Sequence, residues 1–360
     1  MKSFSLALLL ILSGEVAQGA VAQPLATPTE QMKEETDRNS VGTPVIVEDE
    51  RATAKNRIAL EAATLLKQRN YRALDALADQ LRQDTRTFAQ GDWPIAFFYS
   101  GVVDLPKEAT DTEWQSHIES LRGWFENDPD CGTPRIALAR GLIEYAWRAR
   151  GDGWASTVTS EGRRLYGERI SEARRILNAT APLAQNCPVY YSSRLRVALA
   201  DGTSRERYEA LFNEAIKAFP TYTTFYLAKS DYLLPRWFGK EGEWEAFAAA
   251  SADQLGAEAG DMLYAQIVWA MHDHRFFGNI LKETAVEWER IARGFEALCR
   301  RYPNSISAPS EYCYLAGFHP KTGRQLSRDL FLRLGNRCDL SVWKTTERWT
   351  SDRAFALGGK

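Results

Sequence analysis

Strand-like alternation is nearly absent from this chain, and so are the signatures of the commoner enzymes. Four histidines occur in 360 residues, and no GxSxG, HExxH, Walker or GxGxxG pattern is found. The sequence therefore offers no catalytic residue by motif, no metal-ligand set and no cofactor loop. Its five cysteines, Cys131, Cys187, Cys299, Cys313 and Cys338, include no CxxC pair. An odd count leaves at least one thiol unpaired in a monomer. A bridge from Cys313 to Cys299 or Cys338 and a set of buried apolar thiols are both open readings. An excess of one charge is missing too, since 45 basic residues face 47 acidic ones. A net charge of −2 provides no field to draw in nucleic acid or anionic lipid.

The one long apolar run is Phe4 to Leu12 (FSLALLLIL), too short to cross a bilayer as a helix. Lys2 precedes it and Ala20-Val21-Ala22 follows, the pattern an export peptidase cuts after. Residues 1–22 read as an export signal, which places the mature chain in the periplasm or outside the cell, with no transmembrane segment after cleavage. Residues 23–50 are rich in Pro, Thr, Glu and Asp and read as a disordered spacer. From Arg51 helical periodicity takes over, with Leu60, Leu65 and Leu66 followed by Leu74, Leu77 and Leu81 beyond a break near Asn70. One helical domain is expected over residues 51–345, with a tail over 346–360.

Three helical runs end at proline with the same apolar offsets. Leu121, Trp124 and Phe125 lie eight, five and four residues before Pro129. Phe212, Ala215 and Ile216 hold those places before Pro220, and Phe295, Leu298 and Cys299 before Pro303. Such offsets share one helix face, and the proline ends the helix. A weaker copy has Leu183 and Ala184 before Pro188. The pattern resembles degenerate tetratricopeptide repeats, so the expected fold is all-α, a short solenoid of stacked helical hairpins.

Two stretches are unusual. "EYAWRARGDGWASTVTSEG" should end a helix at Gly151 and start another at Thr159 or Ser160. Arg148 and Arg150, beside Asp152 and Trp154 and the new helix's first amides, are candidates for holding an anion or carboxylate. The arginines at 163, 164, 169, 174 and 175 read more simply as a solvated face partnered by Glu161, Glu168 and Glu172. "LPRWFGKEGEW" should break a helix at Pro235 and turn at Gly239 and Gly242, with Trp244 and Phe247 clamping the joint. Arg236 and Trp237 are its candidate binding residues. In "MHDHR", His272 and His274 would face opposite ways on a helix and cannot share a metal.

These stretches, with "WERIARGFEALCRRYPNS", resemble a bacterial family of helical, tetratricopeptide-like proteins known only as a domain of unknown function. The likeness runs from about Arg51 to Trp343 and rests on Trp147, Arg150, Gly151, Gly153, Ala155, Thr157 and Val158, then Pro235, Arg236, Trp237 and Gly239. It implies a fold but no activity. Two functions fit. A scaffold would bind a protein or peptide partner in a concave groove lined by Tyr190, Tyr191, Arg194, Phe225, Tyr226, Lys229 and Tyr232. An envelope hydrolase would instead use the two Trp/Arg/Gly loops as a pocket, with Glu144, Asp152, Glu241 and Glu243 as acid and base.

Overall fold

Prolines at 129, 220 and 303 stop three helices in the same way. The residues before them, Asp128, Phe219 and Tyr302, hold φ of −139°, −140° and −122° with ψ of 80°, 77° and 70°. The proline ring bars these residues from the helical region. Each still donates its N–H to the carbonyl four residues back, at Trp124, Ala215 and Leu298. Three residues on, the N–H groups of Cys131, Tyr222 and Ser305 donate to the pre-proline carbonyl and turn the chain into the next helix.

The computed structural model describes residues 42–358, apart from 152, 154 and 274–276. The export signal, the spacer up to residue 41, Asp152, Trp154 and His274 thus lie outside the described residues. The helices are α1 Glu50–Lys67, α2 Tyr71–Gln83, α3 Pro94–Val103, α4 Asp111–Asn127, α5 Gly132–Arg150 and α6 Ser160–Thr180. There follow α7 Pro188–Ala200, α8 Arg205–Ala218, α9 Thr223–Tyr232, α10 Glu243–Leu255, α11 Ala257–Asp273 and α12 Ile280–Glu283. The last are α13 Trp288–Arg301, α14 Ser307–Ala316, α15 Gly323–Leu334, α16 Leu340–Trp343 and α17 Thr346–Leu357. Two two-residue strands, β1 Val45–Ile46 and β2 Arg337–Cys338, pair in parallel. The fold is all-α, and no described helix is long and apolar enough to cross a membrane.

Successive helices pack as hairpins in two layers. The odd-numbered helices α1, α3, α5, α7, α9 and α11 each touch the next of their set, and α2, α4, α6, α8 and α10 lie between them in sequence. Burial follows this alternation. Seven of the ten residues of α3 are buried, whereas α2 buries only Leu74, Ala78 and Leu81. A helix apolar on all sides belongs inside, and one with a narrow apolar stripe belongs outside. The face set by the proline offsets is the buried one: Leu121, Trp124, Phe212, Ala215, Phe295 and Leu298 all lie in the core. Pro188 is the exception, because Leu183 before it is exposed and the chain makes a 3-10 turn there.

The first and last parts of this stack are clasped together. The expected spacer ends before Glu50: Val45 donates to the Asn336 carbonyl and Val47 to that of Cys338. Asp49 is buried and caps two helices with one carboxylate. Its Oδ1 accepts from the Arg51 N–H at 2.8 Å at the start of α1. Its Oδ2 accepts from the Ser305 hydroxyl, the Ile306 N–H and the Ser307 N–H at 3.0, 2.7 and 2.9 Å, at the start of α14. Residues 346–357 are likewise no tail. They form α17, which buries Trp349 against Phe331, while Arg353 donates to the carbonyls of Phe331 and Gly335 that end α15. No disulfide forms: all five cysteines are free thiols, four of them buried. Burial raises the thiol pKa values of Cys187, Cys299, Cys313 and Cys338.

The loop between α2 and α3 crosses to the far side of the stack. Gln266 of α11 donates to the Ala89 carbonyl at 2.7 Å, Thr223 of α9 packs on Gly91, and Thr87 bonds Tyr302. Arg51 pairs with Asp92, and Trp93 lies edge-on to Phe219 and Tyr222. Gln90 donates to the buried Glu311 carboxyl at 2.8 Å.

Two outcomes follow from the clasp. Asp49→Ala should lower stability by about 2–4 kcal/mol in urea unfolding, since it uncaps two helices, whereas Ser305→Ala should cost about 1 kcal/mol. Equal losses would show that Asp49 holds only one of them. Burial, ahead of the nearby Asp339 and Asp49 and against the pull of Gln90 and Arg51, pushes the Glu311 carboxyl up from 4.5 to about 8. The folded state then binds more protons than the unfolded one between those values, so stability should fall as pH rises from 4.5 to about 8. Glu311→Gln should remove that slope in urea midpoints at pH 5, 7 and 9; parallel curves for the two proteins would contradict it.

Candidate functional site

Helix α5 runs to Arg150 and ends at Gly151, whose φ of 74° is the left-handed conformation glycine accepts without penalty. Its last two turns carry Trp147, Arg148 and Arg150. After α9, the chain from Leu233 to Gly239 coils tightly, with the N–H groups of Trp237 and Gly239 both donating to the Leu234 carbonyl. Gly239 is obligatory there, because a Cβ would sit 1.7 Å from the Leu233 carbonyl oxygen. That coil delivers Trp237 to Trp147. Their rings meet edge to face, with centroids 5.8 Å apart.

Arg150 lies over both indoles, its guanidinium carbon 5.4 Å from the Trp147 ring centre and 5.7 Å from that of Trp237. It also donates to the carbonyls of Gly151 and Gly153, at 3.2 Å each. Arg236 stands 5.4 Å from the Trp237 ring and bonds Asp231 at 3.4 Å. Tyr166 of α6 closes the other edge of Trp147. The two Trp/Arg/Gly loops therefore converge, each arginine held over an aromatic face.

Behind this cluster lies a cavity of about 410 Å³ between α5, α7, α8 and α9. Each of three helices presents one stripe to it: Arg140 and Trp147 from α5, Ser192, Leu195, Arg196 and Leu199 from α7, and Thr224, Leu227, Ala228 and Asp231 from α9. Tyr208 and Trp237 complete the lining. Arg196 is 47% exposed at its side chain, so the cavity opens to solvent on that side. Three buried donors in this wall have no hydrogen-bond partner among the described residues: Arg140 Nε, Trp147 Nε1 and Trp237 Nε1. The carboxylates nearby are committed. Glu144 pairs with Arg196 at 3.1 Å, and Asp231 with Arg236. Glu243 pairs with Arg205, whose hydrogen bond holds its carboxyl below the ordinary range.

The remaining expected site residues lie elsewhere. Arg148 is exposed and donates to the Lys107 carbonyl at 3.4 Å. With Arg150 turned to carbonyls and rings, the two do not frame the first amides of α6, where Thr159 caps Gly162 instead. The arginines of α6 are partnered as a solvated face: Arg164 with Glu161 and Glu168, and Arg174 with Asp201. Arg194 pairs with Glu214 at 2.7 Å. Lys229 pairs with Glu209 over the rings of Phe212 and Phe247, and the Tyr226 hydroxyl donates to the Pro220 carbonyl. Tyr190, Tyr191, Phe225 and Tyr232 are buried too, so the expected groove lining is core. The inner side of the stack is crossed by the protein's own loop, residues 84–93.

Sequence reasoning missed Arg140, Arg196 and the three stripes. Their signal was an arginine at helical spacing from Trp147 within the apolar "IALARGLIEYAW". Among the described residues, one group offers metal-ligating atoms close together, Asp75, Asp128 and Cys131, all within 4.8 Å. Burial raises the Cys131 pKa, which keeps that thiol protonated rather than ready to ligate. His272 packs between Trp269, Tyr314 and Phe318, and burial lowers its pKa.

Gly239→Ala should cost about 3 kcal/mol or more, because the clash is with backbone that cannot swing away. It should also change the tryptophan emission as Trp237 leaves Trp147. A melting temperature unchanged from the parent protein would show that the coil relaxes freely. Compared with family models, with curated proteins and with solved structures, the chain matches none of them.

Proposed function

We propose that this chain is an exported binding protein, built of tetratricopeptide-like hairpins, that takes a small apolar group into the cavity behind Trp147 and Trp237. The group belongs to a partner peptide or to a free ligand of similar size. One observation carries this reading: the two loops that stand out in the sequence meet at one open cavity, walled by Trp147, Trp237 and the leucines of two helices. Ligand sites are concave and largely apolar, with a few polar groups aimed inward. The volume falls within the range such sites span.

A long peptide groove is the less favoured version, because residues 84–93 lie across the inner side of the stack. The hydrolase alternative lacks support at this site. Acid–base catalysis needs a carboxyl free to exchange a proton near neutral pH; of the four carboxylates expected to serve, Glu144 and Glu243 are each tied to an arginine, Glu241 is exposed, and Asp152 lies outside the described residues. The export segment at residues 1–22 supports a periplasmic or extracellular location, and balanced charge favours neither nucleic acid nor membrane surface as partner.

The cavity walls supply the test. A panel of small apolar acids, amides and amines should include members that quench the tryptophan emission saturably, at one per chain. Ala228→Phe, which pushes a ring into the open space, should abolish that quenching while shifting stability by about 1–3 kcal/mol or less. Absence of any saturable quenching, or quenching that survives Ala228→Phe in a folded protein, would remove the cavity as the binding site.

A further inference from the structure

We infer that residues 84–92 are a proton-held latch, fastened to α14 while Glu311 carries a proton and released when it ionises. The inference is independent of the cavity beside Trp147 and Trp237.

Several chain segments meet at Glu311, and most of the charge they bring is negative. Asp49 and Arg51 at the start of α1, and Asp339 at the start of α16, act on it through their charges. Gln90 of the loop donates to it at 2.8 Å. Arg51 is the cation that acts on Glu311, yet its hydrogen bond goes to Asp92 of the same loop. Asp84 and Arg86, also of the loop, pair with each other. From α13 the Cys299 thiol faces the carboxyl, and burial pushes its pKa up to about 11, so it is neutral at lower pH. Arg333 of α15 donates to the Cys299 carbonyl.

The three buried carboxyls of this seam are not equally provided for. Asp49 accepts from Arg51, Ser305, Ile306 and Ser307, and Asp339 from Ser307 and Ser341. Glu311, 4% exposed, accepts from Gln90 alone among the described residues, and Gln90 is an uncharged amide. A buried carboxylate holds its charge through several donors or a paired cation. Asp49 and Asp339 have such donors, and their charges stand beside the one carboxyl that does not. The seam's proton therefore belongs on Glu311, in keeping with a pKa pushed up, by burial first, to about 8.

Ionisation acts first on the loop because the loop is the part that can leave. Residues 84–92 form no helix or strand, and Ala89 and Gly91 are the buried ones among them. Side chains tie the loop down: Gln90 to Glu311, Thr87 to Tyr302, Gln266 to the Ala89 carbonyl and Arg51 to Asp92. The loop is not packed solid on the helices either. A cavity of about 250 Å³ is lined by its Thr85, Thr87 and Gly91 and, from the helices, by Thr223, Gln266 and Tyr302. Segments with few buried contacts open before the core does. Once the loop lifts, water solvates the Glu311 carboxylate and its pKa returns towards the ordinary 4.5. The closed form then binds more protons than the open one, so opening becomes easier as pH rises from 4.5 to about 8 and no further.

The test is amide hydrogen exchange on the intact chain across this pH range, corrected for the intrinsic pH dependence of exchange. The N–H groups of Phe88 and Gly91, bonded to the Asp92 and Phe88 carbonyls, report the loop, and the slowest amides of α5 and α9 report global unfolding. The loop's opening constant should exceed that of the slow helix amides by about tenfold or more at every pH. It should rise about tenfold per pH unit and level off near pH 8. Glu311→Gln, which keeps an acceptor for Gln90 and loses the ionisation, should leave the loop flat with pH. Gln90→Ala should raise loop opening at the acid end of the range about three- to tenfold. A loop that opens only together with the helices would overturn the latch, since Glu311 would then ionise only on global unfolding. So would a loop without the slope, a slope that survives in Glu311→Gln, or no change in Gln90→Ala. Should Glu311→Gln fail to fold, the size and slope of loop opening in the unaltered protein decide.

Discussion

One buried carboxylate holds the stack closed. Asp49 caps α1 with one oxygen and α14 with the other, across more than 250 residues of chain. Helix starts present unpaired N–H groups, and burying them without acceptors is costly. Placing the same acceptor at both starts ties the beginning of the domain to its last third. The parallel pairing of Val45 and Ile46 with Arg337 and Cys338 then continues the seam in backbone hydrogen bonds. Stacked hairpins are otherwise nearest-neighbour structures, stable step by step and open at both ends. Here the ends are joined, and the stack gains one long-range constraint that local packing does not supply.

Closure changes what the inner side can do. In an open solenoid the concave face is the natural binding surface. In this chain residues 84–93 lie across the later helices, tied by Gln266, Tyr302 and Glu311 far along the sequence. The aromatic residues that a groove would display are spent on packing: Tyr208 stacks on Tyr232 at 3.7 Å, and Tyr222 meets Phe225 and Trp93. The open space that remains lies between neighbouring helices, where α5, α7 and α9 do not quite meet. The two Trp/Arg/Gly loops stand at that gap.

What could be read in advance divides along local and long-range physics. The three proline stops were legible because the constraint on the residue before proline acts within two residues, and the apolar offsets mark a single helix face. The meeting of the two loops was a testable expectation because Trp, Arg and Gly cluster so densely in each. The order of residues 42–50 was not legible. Asp49 follows Val45-Ile46-Val47 in a segment otherwise rich in Pro, Thr, Glu and Asp, and meets Ser305, Ile306 and Ser307 only in the fold. The closing helix was readable and was missed: Trp349, Arg353, Ala356 and Leu357 repeat at helical spacing, and all four are buried. Arg194 and Lys229 looked available because a sequence does not show that Glu214 and Glu209 stand opposite them.

The cavity is difficult to account for as a structural feature. Interiors pack near crystal density, and a gap between helices is normally filled by a larger side chain at little cost. Ala228 and Thr224 occupy positions where leucine or phenylalanine would close this one. At the seam, by contrast, Asp49 meets N–H groups at two helix starts. A ligand seated in the cavity would fill a void that the chain's own side chains leave open.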